Sequence, residues 1–289
     1  QVWRLDRKLF FNCGLCIIQD AQIVWNMGHC GTVLVPSPSS ARAKTTQIPC
    51  RGCGRYYQSY LQLVPSPSMH EKFMRAALAE ARRGLGKTSP NPAVGAVLVK
   101  GNRIIARGYH RQAGGDHAEV DCLRKVVEPV PRGAILYVTL EPCSTRGRTA
   151  PCANYIIERN VRSVVIGTID PNPQHRGRAV ALLRASGVDV ITGILEQKCA
   201  RLNEAFNKWI VTGEPFVIAK CGMSLDAHLT RPPGESRWLT SESSRAHAQK
   251  LRAVVDAIIV GAETIRRDNP YLTLRSGPRR VQPLRVIVT

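Results

Sequence analysis

The chain has 289 residues, which suggests two domains of ordinary size, and no apolar run is long enough to span a membrane. Its formal net charge of +20 would suit a nucleic-acid partner, but the basic residues are dispersed, and dispersed charge suits a phosphorylated small molecule equally well. The 10 cysteines accompany an α/β pattern, which favours metal-binding or catalytic use over disulfides. The N-terminal residues show no secretory signal pattern, so we expect a cytoplasmic protein.

Residues 1–68 differ in composition from the rest of the chain. They contain the segment Val-Pro-Ser-Pro-Ser twice, and Pro and Ser at that density favour extended chain. Few signals in this region predict the β-hairpins that a zinc ribbon needs. We therefore favour an unassigned, non-native N-terminal extension, with the native chain starting at Met69. The alternative is a zinc-ribbon nucleic-acid-binding module, since two cysteine pairs have the required spacing: Cys13 with Cys16, and Cys50 with Cys53.

From Met69 onward the sequence alternates between helix and strand patterns. Apolar residues at three- to four-residue spacing predict an amphipathic helix that ends at Gly84. A hairpin follows, with strands Val94–Val99 and Arg103–Tyr109. Alternation of this kind implies a sheet with helices on both faces. The remaining predicted elements are helix 117–127, strand 134–140, helix 152–159, strand 163–168, helix 177–186, strand 188–192 and helix 196–209.

A second domain is predicted to begin after the linker candidate Thr212-Gly213-Glu214-Pro215. It contains a loop rich in Pro and Gly over 231–235. A domain of about 75 residues is short, and the chain stops inside a predicted strand, so we expect truncation at the C-terminus. The elements predicted here are strand 216–221, helix 241–253, strand 256–261 and strand 284–288.

A metal site is predicted where two strand-to-helix junctions carry His117 and the pair Cys143 and Cys152. Catalytic zinc takes three protein ligands and leaves its fourth position for water, and Glu119 would move protons at that water. Asp116, after two glycines, is the predicted N-cap of the helix. Each of the three ligands alone could be a structural residue, but their common placement at helix starts, whose dipoles favour thiolates, supports a zinc site.

The zinc deaminase signature is His-x-Glu followed by Pro-Cys-x-x-Cys, with the glutamate as proton shuttle. The first half is intact here, but eight residues, Ser144 to Pro151, separate the two cysteines. This insert argues against an ordinary cytidine or tRNA deaminase. Arg146 and Arg148 within it would either hold a substrate phosphate or be solvated surface residues.

Several motifs in order make the chain resemble the bifunctional riboflavin biosynthesis family of pyrimidine deaminase/reductases. The resemblance implies a cytidine deaminase-like three-layer α/β/α domain over 69–211, followed over 212–289 by the N-terminal part of a dihydrofolate reductase-like α/β domain. The first domain would hydrolyse an amine from a phosphoribosylaminopyrimidine, and the second would reduce the ribosyl chain with NADPH. The motifs are Thr88-Ser89-Pro90-Asn91-Pro92, Gly108-Tyr109-His110, His117-Ala118-Glu119, Leu140-Glu141-Pro142-Cys143, Gly147-Arg148-Thr149 with Pro151-Cys152, Asp170-Pro171-Asn172-Pro173 and Ser224-Leu225-Asp226.

By motif position, the resemblance also implies roles for individual residues. Zinc would be held by His117, Cys143 and Cys152, with Glu119 as the proton shuttle. The expected partners are the pyrimidine substrate and further copies of the chain, with neither nucleic acid nor a membrane. The implied NADPH contacts are Gly222, Trp238, Thr264 and Asp268. The implied substrate contacts are Asn91 and His110 in the first domain, and Lys220, Ser236, Arg252, Leu272 and Arg275 in the second.

Three positions depart from the family pattern. Thr145 stands where many members have histidine, which would alter substrate affinity but not the metal site. Ala227 stands where glycine is usual, and alanine would strain the turn by roughly 1 kcal/mol if φ there is positive. His228 replaces a lysine or arginine. Because the later part of the reductase is also missing, we predict that this chain deaminates but does not reduce.

Two rival functions remain open from the sequence: a nucleoside or tRNA deaminase, and the zinc-ribbon protein described above. A nucleic-acid deaminase would be expected to expose aromatic residues for base stacking, and aromatic residues make up only 6% of the chain.

Overall fold

The computed structural model describes residues 46–49, 56–59, 67–145, 150–229, 238–275 and 282–289. Within these ranges, no helix combines the length and apolar character needed to cross a membrane. Several sequence predictions fall outside the described residues and are not addressed by the structure. They are the four cysteines of the zinc ribbon (Cys13, Cys16, Cys50 and Cys53), Arg146, Arg148, Ser236 and the loop 231–235.

The N-terminal unit, residues 1–64, contains two short strands. Strand β1 (Thr46–Pro49) pairs antiparallel with β2 (Tyr56–Ser59). Few sequence signals predict a hairpin in this region, yet the Thr- and Tyr-containing segments at 46–49 and 56–59 pair, as their β-propensity favours. The chain between the strands includes Cys50 and Cys53. Whether residues 1–68 form an unassigned extension or a zinc module stays a prediction.

The second unit is built on a five-stranded sheet. Its strand order is β4-β3-β5-β6-β7; β3 pairs antiparallel with β4 and β5, whereas β5, β6 and β7 are parallel. Parallel neighbours need crossover connections, and helices between β5, β6 and β7 supply them. The strands are β3 (Gly95–Lys100), β4 (Arg103–Tyr109), β5 (Ala134–Leu140), β6 (Ser163–Thr168) and β7 (Asp189–Thr192).

Helices cover both faces of this sheet. Successive residues of a strand point to opposite sides, so each buried strand supplies apolar side chains to both helix layers. Val97 and Val99 pack with Phe73 of α1 and Cys199 of α5 on one face. Alternate strand residues, including Leu98, pack with α2, α3 and α4 on the other. The predicted three-layer α/β/α architecture is confirmed. The helices are α1 (Pro67–Arg82), α2 (Ala118–Leu123), α3 (Cys152–Glu158), α4 (Arg178–Ala185), α5 (Glu196–Leu202) and α6 (Glu204–Thr212).

Two helices differ from their sequence predictions. Helix α2 ends at Leu123, four residues before the expected 127. The single helix expected over 196–209 is wrong, because Asn203 interrupts it between α5 and α6. The Asn203 side chain accepts a hydrogen bond from Ala93 N and donates one to Ala93 O, at 2.8 and 2.9 Å. These two bonds tie the start of α6 to the loop that carries Asn91.

The C-terminal region contains α7 (Glu242–Arg252), β8 (Ala257–Gly261), α8 (Ala262–Asp268) and β9 (Leu284–Val288), with β8 and β9 parallel. The strand expected over 216–221 is wrong: those residues form neither helix nor strand, because no described strand lies beside them to pair with. Helix α8 was not predicted. Ala227 has a φ of +67°, so the backbone there does adopt the conformation that favours glycine. The domain boundary at 212 stays a prediction.

Candidate active site

The start of α2 brings His117 and Glu119 to one cavity. His117 is the N-cap residue, with an extended backbone at φ −71° and ψ 163°, and the helix begins only at Ala118. Two side chains that are two residues apart could not share a face inside a helix, but the extended His117 removes that constraint. The prediction of Asp116 as N-cap is wrong by one residue; its carboxylate pairs with Arg124 instead.

The two cysteines meet although eight residues separate them in sequence. Cys143 follows the end of β5, and Cys152 is the first residue of α3. The Cys152 backbone N–H donates to the Cys143 sulfur at 3.2 Å, and the Ala153 N–H donates to the Cys143 carbonyl at 3.1 Å. These bonds fix the two thiols side by side at the N-terminus of α3.

The three predicted ligands converge on one point. The His117 Nδ1 lies 3.2 Å from the Cys152 sulfur and 3.6 Å from the Cys143 sulfur. One donor atom from each of the three side chains lies within 4.8 Å of the others. One imidazole and two thiols are a donor set that zinc prefers, and three protein ligands leave a fourth position for water. The described residues therefore fit a catalytic zinc ion.

The electrostatics of the thiols also suit a cation. Hydrogen bonding to the Cys152 thiol, and then to His117, lowers the pKa of the Cys143 thiol, while the same contact and burial raise the pKa of Cys152. The two sulfurs thus compete for one proton in this geometry. A divalent cation bound between them would stabilise both as thiolates, since the thiolate is the form that ligates metal.

Glu119 is the buried carboxyl group beside this donor set. Burial raises its pKa to about 7, and the nearby His117 partly opposes that shift. A carboxyl group whose pKa lies near neutral pH can both accept and release a proton under physiological conditions. Glu119 therefore has the position and the acidity expected of a general acid and base.

Asn91 and His110 form a hydrogen-bonded pair on the cavity wall. The His110 Nδ1 lies 2.9 Å from the Asp116 carbonyl oxygen, so it must carry the proton of a neutral ring. Its Nε2 then accepts from the Asn91 amide nitrogen at 3.2 Å. Burial lowers the pKa of His110, which favours this neutral form. Because the Asn91 amide nitrogen makes the bond to His110, the side-chain carbonyl oxygen of Asn91 is the atom that can accept a hydrogen bond from a ligand.

Glu141 supports the site from behind, a role that its motif position did not reveal. Its carboxylate is buried and accepts four backbone N–H bonds, from Asp170 and Gly177 at one oxygen and from Ala179 and Val180 at the other. Because Glu141 is two residues before Cys143, these bonds fix the loop after β6 relative to the metal ligands. That loop contributes Asp170, Asn172 and His175 to the cavity.

The cavity that contains these groups has a volume of about 490 Å³. Its inner end is formed by His117, Glu119 and His110, and α6 supplies an apolar wall. Sequence reasoning missed this wall, because nothing in the local pattern of α6 shows that Asn203 turns it toward the 90–94 loop. The wall consists of Phe206, Trp209 and Ile210.

The residues expected to serve the reductase lie in the described chain, except Ser236. Gly222 is next to the Lys220 ammonium and the Thr240 methyl group. Arg252 donates a hydrogen bond to the carbonyl of Thr273, the residue after Leu272, at 3.2 Å. The pKa of Arg252 is lowered, mainly by burial and to a smaller extent by the positive charge of Arg275. Two neighbouring guanidinium groups suit a phosphate. Of the other three expected cofactor contacts, Thr264 and Asp268 are exposed on α8. The third, Trp238, stacks against the Arg245 guanidinium, whose carbon lies 4.7 Å from the ring centroid.

Comparison with known proteins gives matches over both parts of the chain. Residues 67–168 match the cytidine and deoxycytidylate deaminase zinc-binding region, and residues 215–289 match the RibD C-terminal domain. The chain is 45% identical over 215 residues to the riboflavin biosynthesis protein RibD of Actinobacillus pleuropneumoniae, covering 74% of this chain and 57% of that protein. It is 44% identical over 205 residues to RibD of Escherichia coli K12, covering 71% of this chain and 56% of that protein.

Solved structures give the same result. A diaminohydroxyphosphoribosylaminopyrimidine deaminase/5-amino-6-(5-phosphoribosylamino)uracil reductase from Thermotoga maritima superposes with a TM-score of 0.71 at 44% identity, covering 76% of this chain and 63% of that one. RibD of Acinetobacter baumannii gives a TM-score of 0.70 at 40% identity, covering 77% and 64%. The chain thus spans less than two thirds of the length of each of these relatives.

Proposed function

Since residues 67–289 belong to the RibD family of riboflavin biosynthesis proteins, we propose that the chain deaminates 2,5-diamino-6-(5-phosphoribosylamino)pyrimidin-4-one by hydrolysis. The observation that carries the proposal is the convergence of His117, Cys143 and Cys152 beside the buried Glu119. A zinc ion held by these three ligands would supply Lewis-acid activation, by lowering the pKa of a water molecule toward neutrality.

The protein's own residues account for the proton transfers. Glu119 accepts a proton from the attacking water and delivers it to the ring nitrogen next to the amine-bearing carbon. It then transfers a second proton from the added hydroxyl group to the departing amine, so that ammonia leaves and a carbonyl group remains. The Asn91 side chain is held by the hydrogen bond from its amide nitrogen to His110, and its carbonyl oxygen accepts a hydrogen bond from the pyrimidine and orients the ring.

Ammonia release from this pyrimidine tests the proposal. Removing a general acid and base costs about 10²–10⁴-fold in rate, so Glu119→Gln should lower kcat by that factor while zinc content stays at the wild-type value. Glu158→Gln, at an exposed position of α3, is the matched control and should retain wild-type activity. Equal rates for wild type and Glu119→Gln would contradict the mechanism.

The same assay separates the rival deaminases, because cytidine and tRNA should release no ammonia. The zinc-ribbon alternative concerns residues 1–68 and needs its own measurement. Chains that begin at Gln1 and at Met69 should contain equal zinc per molecule if the extension binds no metal. A loss of one zinc on removal of residues 1–68 would support the ribbon.

The C-terminal region supports a second, NADPH-dependent activity in the longer family members. We propose that Gly222, Trp238, Thr264 and Asp268 belong to the cofactor site. The substrate contacts would be Lys220, Ser236, Arg252, Leu272 and Arg275. Lys220 beside Gly222 and the Arg252–Arg275 pair are suited to phosphate groups. Oxidation of NADPH in the presence of the deaminated pyrimidine tests this assignment. We further propose a cytoplasmic homo-oligomer, which size measurement in solution will test.

A further inference from the structure

Helix α6 forms the apolar wall of the deaminase cavity but contributes little burial of its own to hold it there. None of its nine residues is buried, and Trp209 is 50% exposed. Its side-chain hydrogen bonds to other described residues stay local, such as the bond from Asn207 to the Ala200 carbonyl of α5 at 3.0 Å. A helix in a globular protein is normally held by an apolar face packed into the core, so α6 needs another anchor.

Asn203, the residue directly before α6, supplies that anchor. Its side chain is only 6% exposed; it accepts from the Ala93 N–H at 2.8 Å and donates to the Ala93 carbonyl at 2.9 Å. Two bonds in opposite directions to one residue fix both the distance and the orientation of the amide. Asn203 also lies three positions before Phe206 and seven before Ile210, a spacing that places all three on one side of the helix. The anchor therefore determines which side of α6 faces the cavity.

The loop that receives these two bonds is held in place without them. On one side of Ala93, the Asn91 N–H donates to the Thr88 carbonyl at 2.7 Å. On the other side, the Val94 carbonyl accepts from the His110 N–H at 2.9 Å. Loss of the anchor should therefore displace the helix and leave the loop, with Asn91, where it is.

We propose that Asn203 is a positioning residue, which holds the apolar wall of α6 against the bound pyrimidine and thereby sets the affinity for substrate. The proposal rests on the deaminase function above. Asn203 does not itself line the cavity in the part of the chain that the structure describes. Its effect therefore falls on substrate binding, while Glu119 and the metal ligands keep their places.

Kinetics of full-chain variants test this role. Asn203→Ala should raise KM for the pyrimidine substrate about tenfold, while kcat stays within about threefold and zinc content stays at the wild-type value. Asn203→Asp is the second variant: it preserves the side-chain shape, but an ionised carboxylate cannot donate to the Ala93 carbonyl, so KM should also rise. Lys208→Ala is the matched control on α6, because this half-buried side chain does not line the cavity. Leu78→Ala, in the core beneath α1, controls for loss of stability and should leave KM unchanged.

A double-mutant cycle separates positioning from a general structural effect. Trp209→Ala should itself raise KM, because it removes the largest side chain of the wall. In that background Asn203→Ala should add less than about threefold, since residues that act through one another are not additive. Fully additive losses would overturn the proposal, as would an unchanged KM in Asn203→Ala or an equal rise in Leu78→Ala.

A fluorescence measurement reports the position of α6 without turnover. The reporter is the full chain with Trp209 as its single tryptophan, obtained with Trp3→Phe, Trp25→Phe and Trp238→Phe. Asn203→Ala should raise acrylamide quenching of this reporter by at most about twofold, because the ring is already 50% exposed. Unchanged quenching would refute the positioning role. If wild type releases no ammonia, the proposed function fails, and the quenching still decides whether Asn203 holds α6.

Discussion

Glu141→Gln should destabilise the protein without removing any ligand or catalytic group. The wild-type carboxylate accepts four backbone N–H bonds, two at each oxygen. Glutamine retains one acceptor oxygen, which can serve two of these donors. Its NH₂ group would face the other two, and an unpaired buried donor costs about 1–3 kcal/mol.

The structure indicates which two donors lose their partner. Ala179 is fully buried and Val180 nearly so, whereas Gly177 is half-buried and open to water. The glutamine oxygen should therefore stay with Ala179 and Val180, and the NH₂ group should face Asp170 and Gly177. With water compensating Gly177 in part, the expected loss in free energy of unfolding is about 2–4 kcal/mol.

Urea denaturation at saturating zinc measures this loss, and hydrogen exchange locates it. The amides of Asp170 and Gly177 should exchange faster in Glu141→Gln, while amides in the α1 core should change only through global stability. Glu158→Gln, the exposed control, should stay within about 0.5 kcal/mol of wild type. A loss below about 1 kcal/mol with unchanged exchange at the loop would refute the role given to Glu141.

Three further predictions concern packing, pH and backbone strain. Gly108→Ala should lower the free energy of unfolding by about 1–3 kcal/mol and weaken zinc binding, because a Cβ there would lie 2.4 Å from the Ala118 carbonyl oxygen of α2. Gly261→Ala is the control, since a Cβ at that position would meet open space. Burial lowers the folded-state pKa of His70, so below about pH 6.5 the unfolded chain binds more protons than the folded one. The free energy of unfolding should therefore fall as the pH falls through that value. Urea denaturation at several pH values should show that this part of the pH dependence disappears in His70→Gln. Ala227→Gly should relieve up to about 1 kcal/mol of strain at φ +67°, which slower proteolysis of the loop would report; faster cleavage would contradict it.

The sheet could be predicted from sequence because each of its strands has a strong local signal. The limits predicted for the strands at 134–140 and 163–168 agree with β5 and β6 at both ends. These segments are apolar over nearly their whole length, as expected for buried parallel strands. The strand predicted over 216–221 has a similar local pattern but does not form. Strand formation requires a hydrogen-bonding neighbour, and a local pattern contains no information about one.

The metal ligands could likewise be predicted, since His117, Cys143 and Cys152 all occur at recognisable junctions. The supporting residues could not. Glu141 acts on backbone groups 29 to 39 positions away, and Asn203 on a residue 110 positions away. Such contacts depend on how the helices pack across the sheet. The contact of His175 with Thr145, 30 residues away in a different loop, is of the same kind.

The hydrogen bonds that join the two cysteines do not depend on the residues between them. Cys152 is placed against Cys143 by its own N–H and by the Ala153 N–H, and neither bond involves the residues between them. The metal geometry is therefore set at the two ends of the insert, and the insert's length can vary without disturbing it. Its beginning, at Thr145, already contacts the turn that carries His175. We therefore expect a substitution at Thr145 to leave the zinc content at the wild-type value.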